Sequence, residues 1–549
     1  MFKDGRVPET LVFETHLWLE NSFLFYSSNR VIESIQDGNS NLTPEDYYLL
    51  GRRFELGVDC AKNKVLAIQY YHRAAHQGEV NSQFRLGIYY SDRCRNDKQL
   101  GVYHFRSAAE QGHLQAQYRL SVCYFKGIGI KKNEQEAFKW TRIVAEQGHP
   151  TAQSKLGLCY AYGVGIAENE AEGFKWFCMA AEQGEIDAQY FLGVCYHFGK
   201  GTTKNFKKGV EFYRLAAFKG HPAAQFYLGL CYANGTGVTK NIAKGVKWYR
   251  MAAKQGETNA QFNLGVCYAN GTGVVKNESK SHKWFHLAAE QGHPTAQCNL
   301  GVRYSNGEGI AKDEAEAVKW FRMAAEQGYA SAQFNLGGCY RNGVGIAKDE
   351  AEAFKWYRMA AEQGELDSQF NLGLCYANGI GIAKDEAEAF KWFRMAAEQG
   401  HPPAQCNLGF RYGNGVGIAK DEAEAFKWYR MAAEQGHPPA QFNLGCCYAN
   451  GVGIAKDEIE AVKWYRLAAD QGKINAQFNL GVCYANGVGI AKDEIEAYAY
   501  FNMAGIVDEG ARLARTNLEK IITPDQRAEG QRRTKELQSA EQSSTLFKK

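Results

Sequence analysis

Apolar and small residues return to the same places of a 36-residue frame along most of this chain. A Leu-Gly pair, with tyrosine three residues after the glycine, recurs at Leu156, Leu192, Leu228, Leu264, Leu300, Leu336, Leu372, Leu408, Leu444 and Leu480. Leu120 keeps the period, Leu86 lies 34 residues earlier, and Leu50 opens the series, giving thirteen repeats from about residue 44 to 510. In the Leu300 repeat, Ala296, Leu300, Gly301 and Tyr304 fall at spacings of three and four, which predicts an amphipathic first helix. Pro294 suits its first turn, where a missing N–H costs nothing. Asn306-Gly307-Glu308-Gly309 ends it, because glycine tolerates the positive φ of a C-terminal cap. Asp313 and Glu316 predict a capping box for a second helix. Its buried stripe is Ala317, Phe321, Ala324 and Ala325, and Gly328 closes it.

Gly301 and Ala324 are small enough for neighbouring helices to approach closely, with Trp320 and Tyr304 filling the remaining space. One helix pair cannot bury both of its sides, so successive pairs must stack. The expected fold is all-α: an α-solenoid, a superhelical rod of about thirteen 36-residue helix–turn–helix repeats with helical caps. Residues 1–43 precede the repeats and are rich in aromatics, including Phe13, Trp18, Phe23, Phe25 and Tyr26. They read as an N-terminal capping segment, or alternatively as a docking segment. Residues 511–538 read as two C-terminal capping helices, Ala511–Ile521 and Pro524–Leu537, with Thr523 as the second N-cap. The polar tail 539–549 is expected to be disordered. Repeats from Leu300 onward are near copies, whereas those from Leu50 to Leu228 differ more, and the Leu86 repeat has lost two residues between Ser91 and Lys98.

Composition narrows the function classes. Hydrophobic residues make up 45% and aromatics 13% of 549 residues, enough for an extensive core. The formal charge of +4 is accounted for after residue 510, where nine basic side chains face five acidic ones. The repeat array is then neutral as a whole, with no footprint for nucleic acid or an anionic membrane. Asp4, Glu9 and Glu14 break every early apolar run, so no signal peptide is expected, and no apolar run is long enough to span a bilayer. Fifteen cysteines are an odd and sparse set, which points to a reducing, cytoplasmic setting.

Leu300-Gly301 with Tyr304, then Ala317, Phe321 and Ala324, resembles the tetratricopeptide pattern with a longer loop between the helices. The 36-residue period, the Gly-x-Gly loop and the closing Ala-Ala-Glu-Gln-Gly (Ala324 to Gly328) resemble Sel-1-like repeats specifically. Tyr498 to Ala504 followed by Thr523-Pro-Asp-Gln526 is similar to the closing segment of bacterial members. The resemblance implies a scaffold or adaptor that assembles protein partners, no common catalytic residue, and first helices lining a concave side.

Candidate chemistry is thin. Cysteine stands three residues after the repeat leucine at Cys123, Cys159, Cys195, Cys231, Cys267, Cys339, Cys375, Cys447 and Cys483. Equivalent positions in stacked pairs lie too far apart for a disulfide or a shared metal ion, so these are expected to be small packing residues. Cysteine-rich secreted Sel-1-like proteins carry a second cysteine on each second helix. Here only Cys178 does so. Histidines in the Gly-His-Pro joints (His149, His221, His293, His401, His437) sit a repeat or more apart, without a His-x-x-x-His partner. The Gly-x-Gly loops follow a helix and lack Gly-Lys-Ser/Thr, so they are not phosphate cradles. Asp313, Glu314 and Glu316 favour a positive helix N-terminus and are too regular for an acid–base pair. No catalytic, cofactor or metal site is expected.

The residue before each repeat leucine remains: Arg85, Arg119, Lys155, Phe191 and Tyr227, then Asn263, Asn299, Asn335, Asn371, Asn407, Asn443 and Asn479. The first five mark the divergent repeats as a partner-binding surface for an acidic or aromatic-containing protein segment. The asparagines either bind an extended peptide backbone, since each amide donates and accepts, or bond locally. The expected function is a non-enzymatic scaffold. The alternatives are a translocated effector acting on host trafficking and a cysteine-rich-type ligand-binding or hydrolase relative.

Overall fold

The computed structural model describes residues 24–33, 41–93 and 97–546. It is all-helical among the described residues, an α-solenoid of tandem helix pairs. Two compact units divide it, one up to Val275 and one from Lys276. The N-terminal unit contains a helix at 24–33, six pairs from Pro44–Leu56 and Lys64–His76 to Pro222–Asn234 and Ile242–Lys254, and the helix Thr258–Asn270. The C-terminal unit opens on Glu278–Glu290 and continues through six pairs, from Pro294–Asn306 with Glu314–Glu326 to Ile474–Asn486 with Glu494–Ala504. Helices Glu509–Leu518 and Pro524–Leu546 follow.

The Leu300 repeat shows why these residues fold this way. Pro294 occupies the first turn behind His293, whose Nδ1 accepts from the Ala296 N–H at 3.2 Å. Gly307, at φ 76°, ends the helix in the left-handed conformation, its N–H donating to the Arg303 carbonyl at 2.8 Å. Gly309 is required twice over. Its φ is 74°, and a Cβ there would stand 2.6 Å from the Glu278 carbonyl oxygen of the preceding pair. The Gly-x-Gly loop is therefore a seat for a neighbouring backbone. Asp313 caps the second helix through the Glu316 N–H at 2.9 Å. Glu316 does not complete the expected box, because its carboxylate meets Lys319 Nζ at 2.6 Å instead.

Burial is shared between successive pairs. Ala317, Phe321, Ala324 and Ala325 pack with Ala332, Leu336 and Cys339 of the next first helix in one cluster. Each fully buried leucine of the series contributes roughly 1.5–3 kcal/mol. The space above Gly301 is filled by the Phe321 ring, whose Cδ1 would lie 2.6 Å from an added Cβ. The expected fillers were Trp320 and Tyr304; Phe321, the next residue after Trp320 on the second helix, takes that place because its ring is the one that lies directly over the glycine.

A glutamine bridge joins the pairs, and nothing in the hydrophobic pattern announces it. Gln297 is buried, donates from Nε2 to the Ala289 carbonyl of the preceding helix at 3.0 Å, and accepts from Gln327 Nε2 at 2.7 Å. Gln117, Gln153, Gln225, Gln333, Gln369, Gln405 and Gln441 repeat both bonds.

At the N-terminus, Arg53 donates to Ser28 Oγ at 3.3 Å and Asn29 Oδ1 at 2.5 Å, holding the 24–33 helix on the first pair. The rest of the expected cap, 1–23 and 34–40, lies outside the described residues. The last helix, expected to stop at Leu537, runs on to Leu546, so the segment from Ser539 is helical there, where disorder was expected. Glu541 on it lies 3.5 Å from Gln477 Nε2, the last glutamine of the series, and this packing favours order beyond Ser539. Residues 547–549 lie outside the described residues.

Candidate functional site

The first helices of the N-terminal unit carry a chain of apolar recesses. One, of about 460 Å³, is walled by Tyr118, Val122, Phe125, Leu158 and Tyr162, with Lys155 also lining it. Tyr162 also borders a smaller recess lined by Phe177, Phe191 and Val194. Lys155 and Phe191 therefore stand on either side of one exposed tyrosine. Arg85 lines a separate hollow of about 150 Å³ with Tyr71, Ile88 and Tyr89, and its Nη1 lies 3.8 Å from Glu55 Oε1. Arg119 is exposed and lines none of these three recesses.

Phe191 and Tyr227 are half-buried and belong to one aromatic cluster. Phe191 stacks on Phe177 at 5.1 Å and Tyr227 on Tyr213 at 5.4 Å, while Tyr190 touches both Phe191 (5.1 Å) and Tyr227 (6.0 Å). Their rings partly serve the core. Phe125 and Tyr162, 46% and 60% exposed, were not singled out from sequence. The available signal is an aromatic near the end of a first helix, where most later repeats carry alanine or asparagine, as at Ala233 and Asn234.

The asparagine row bonds close to home. Asn263, Asn335, Asn371 and Asn407 donate from Nδ2 to the carbonyl four residues back, at 3.0, 2.9, 2.8 and 3.3 Å. Asn371 Oδ1 accepts from Arg341 Nη1 at 2.8 Å. Asn335 and Asn443 also lie 3.7 and 3.8 Å from the sulfurs of Cys298 and Cys406. Asn299 and Asn479 are half-buried on the same row. The amide donors of four members are thus engaged within their own helices.

Each described cysteine is a free thiol. Burial pushes Cys123, Cys159, Cys231 and Cys375 up to about 11, so they stay protonated near neutrality and are poor nucleophiles. Two positions of this row hold Arg303 and Arg411 instead, both buried. Each pairs with a glutamate of the preceding second helix, Arg303 with Glu278 at 2.9 Å and Arg411 with Glu386 at 2.8 Å. Arg411 also sits over the Phe393 ring at 4.7 Å. Four joint histidines cap helices, Nδ1 of His149, His221, His293 and His401 accepting from the third residue on at 3.1–3.3 Å, whereas His437 makes no such bond. Glu185, Glu257 and Glu365 cap in the same way in other repeats. Among the described residues no cluster of three or more His, Cys, Asp or Glu side chains is arranged to hold a metal ion, and no helix is long and apolar enough to cross a membrane.

The Sel1 repeat model matches thirteen consecutive stretches, from 44–79 and 80–113 to 438–473 and 474–505. The chain belongs to the Sel1 repeat family. Among solved structures it is similar to a protective antigen present in uropathogenic Escherichia coli strains that displays an SLR fold. The two share 35% identity at a TM-score of 0.73, over 81% of this chain and 97% of that one. A Sel1 repeat protein from Oxalobacter formigenes is 34% identical over 55% of this chain and 88% of its own, at a TM-score of 0.44. A comparison with curated proteins gives no match. Sel1 solenoids are typically non-catalytic, and their repeats generally serve protein interaction.

Proposed function

We propose that this Sel1 repeat protein is a non-enzymatic scaffold that holds protein partners against the first-helix face of its N-terminal unit. The observation that carries the reading is the apolar recess of about 460 Å³ that Lys155 helps to line, with exposed Phe125 and Tyr162 in its walls. Exposed aromatics beside a cation are the composition of interface hot spots. The occupant is an acidic, aromatic-containing protein segment: its ring fills the recess and its carboxylates meet Lys155 and Arg119. Phe191 and Tyr227 extend the same surface, and Arg85 adds a cation in the separate hollow. The asparagine row of the later repeats, with four of its amide donors bonded within their own helices, offers weaker, register-tolerant contacts through its amide oxygens.

Selection of random peptides on the full-length protein tests this. Acidic sequences with Phe, Tyr or Trp should be enriched, and Lys155→Glu with Tyr162→Ser should abolish the enrichment without changing helix content. Enrichment that survives those changes but disappears in Asn335→Ala, Asn371→Ala and Asn407→Ala would move the site to the C-terminal unit. A second reading, delivery outside the cell as an effector, is favoured by the likeness to a protein described as a protective antigen. Fractionation of the producing cells separates the two settings.

A further inference from the structure

The near-neutral total conceals a strong local charge. Residues 186–257, the Leu192 and Leu228 repeats, hold nine lysines and two arginines against three acidic side chains. Residues 294–437 hold fifteen basic and nineteen acidic ones. The excess arises at exchanged positions on the second helices. In the Leu300 repeat, Lys312 pairs with Glu314 at 2.7 Å and Lys319 with Glu316 at 2.6 Å. Glu314 is matched by Phe206 and Ile242, and Glu316 by Lys208 and Lys244. At the far end of the same helices, Glu326 is matched by Phe218 and Lys254.

These exchanges do not serve the fold. A helix N-terminus carries partial positive charge and repels a lysine in the first turn. Lys207, Lys208 and Lys244 stand there, and neither helix has an acidic residue in its first turn. Lys204, Lys207, Lys208, Lys240, Lys244 and Lys247 are exposed, and none makes an ion pair among the described residues. Lys204 lies over the Phe206 ring at 4.6 Å and Lys208 over Tyr196 at 5.3 Å. Both arginines are engaged, Arg214 with the Tyr232 hydroxyl at 3.4 Å and Arg250 with that of Tyr268 at 3.1 Å. Apolar side chains are interleaved: Phe218 is 73% exposed, Leu215 49% and Met251 46%. Phe218 meets Trp248 edge-on at 5.4 Å, which joins the two helices into one face.

We propose that the exposed sides of helices Phe206–Phe218 and Ile242–Lys254 dock onto an anionic phospholipid bilayer. The cations of this face that make no ion pair or hydrogen bond among the described residues are all lysines, point charges without the planar fork that grips a single phosphate or carboxylate. A diffuse sheet of anionic headgroups asks for nothing more. Phe, Leu and Met among lysines are also the side chains that settle at a bilayer interface. A nucleic acid or an acidic polypeptide would favour free arginines and leave these apolar groups in water. None of the lysines or apolar side chains of this face lines the first-helix recess of about 460 Å³.

Sedimentation of the full-length protein with vesicles tests the proposal. Binding is expected with phosphatidylcholine vesicles containing phosphatidylserine, not with phosphatidylcholine alone, and should fall as salt is raised. Lys208→Glu with Lys244→Glu places at both positions the side chain that Glu316 and Glu352 supply in other repeats. Lys247 stands ready to pair with the second, and Glu211 beside the first is exposed like it, so unchanged circular dichroism is the control. That variant should bind roughly thirtyfold more weakly or worse. Lys207→Ala with Lys247→Ala, away from the Lys208 and Lys244 positions, should weaken binding in the same direction, and Phe218→Ser should weaken it without altering the salt dependence. Absence of binding to phosphatidylserine vesicles, retention of full binding by both lysine variants, or tighter binding to a DNA duplex or polyglutamate under the same conditions would overturn it.

Discussion

Gly373 lies beneath the ring of Phe393 so closely that a Cβ there would stand 2.8 Å from Cδ1. The ring itself is fully buried, so it has nowhere to retreat. Gly373→Leu should therefore cost about 1–3 kcal/mol or more by overpacking. Contacts reach only the neighbouring pairs, so the damage should stay local. Hydrogen exchange should show lost protection near Leu372 with most helical circular dichroism retained. A global collapse of helix content would contradict nearest-neighbour coupling.

The glutamine bridge makes a second prediction. Gln297→Ala removes the donor to the Ala289 carbonyl and the acceptor of Gln327 together, and the carbonyl is left without that partner in a buried place. A loss of about 1–3 kcal/mol is expected in denaturant unfolding. Gln327→Ala should cost less, because Gln327 is exposed and water replaces what it loses.

A third prediction concerns acid. His104 is held between Tyr90, stacked at 5.8 Å, and His72, and its Nε2 is buried without a hydrogen-bond partner among the described residues. Burial, with the neighbouring His72 and His76, pushes its ionisation down to about 4. Because the unfolded chain binds the proton more readily, stability is intact above about pH 6.5 and is lost as pH falls toward 4. The loss is roughly 2–3 kcal/mol at most. Thermal melts between pH 7 and 4 should show it, and His104→Gln should flatten the dependence.

Thiol titration supplies a fourth. With Cys123 pushed up to about 11 by burial, native protein should react slowly with a disulfide reagent at pH 8. All fifteen cysteines should react in denaturant without prior reduction. Few reactive thiols under those conditions would instead support the cysteine-rich type.

The ends of the array should matter more than its middle. Deleting one whole repeat, Gln333 to Ser368, should leave a soluble helical protein. Deleting residues from 511 onward removes Arg533, which pairs with Glu496 at 2.6 Å, and Leu518, which packs on Phe501 and Tyr498. That truncation should aggregate. Comparable light scattering from both deletions would refute the capping role.

What was legible in the sequence is local. Pro294, Gly307 and Asp313 act through their own backbone, so their spacing alone places a helix start, a stop and a cap. Glu316 was misjudged because two partners compete for one carboxylate, and the choice of Lys319 is made by side-chain reach. Gln297 and Gln327 are thirty residues apart, and periodic polarity cannot distinguish a bridge from a solvated face. Lys155 and Phe191 were found as departures from the asparagine row, whereas the share of the Phe191 and Tyr227 rings in the core depends on three-dimensional packing. The lysines at 204, 207, 208, 240 and 244 were hidden by averaging charge over the array.

Every bridging glutamine in the C-terminal unit presents the same acceptor to one neighbour and the same donor to the other, and each Gly-x-Gly loop seats the same stretch of the preceding backbone. A copy inserted or excised at the 36-residue period therefore re-forms the glutamine bridge and the glycine seat at the seam, and only repeat-specific contacts such as Arg341 with Asn371 are lost. Gain or loss of whole repeats changes the reach of the protein while the backbone seat and the glutamine bridge at each junction stay the same. Length in such a chain is a quantity that inheritance can adjust without first breaking the fold.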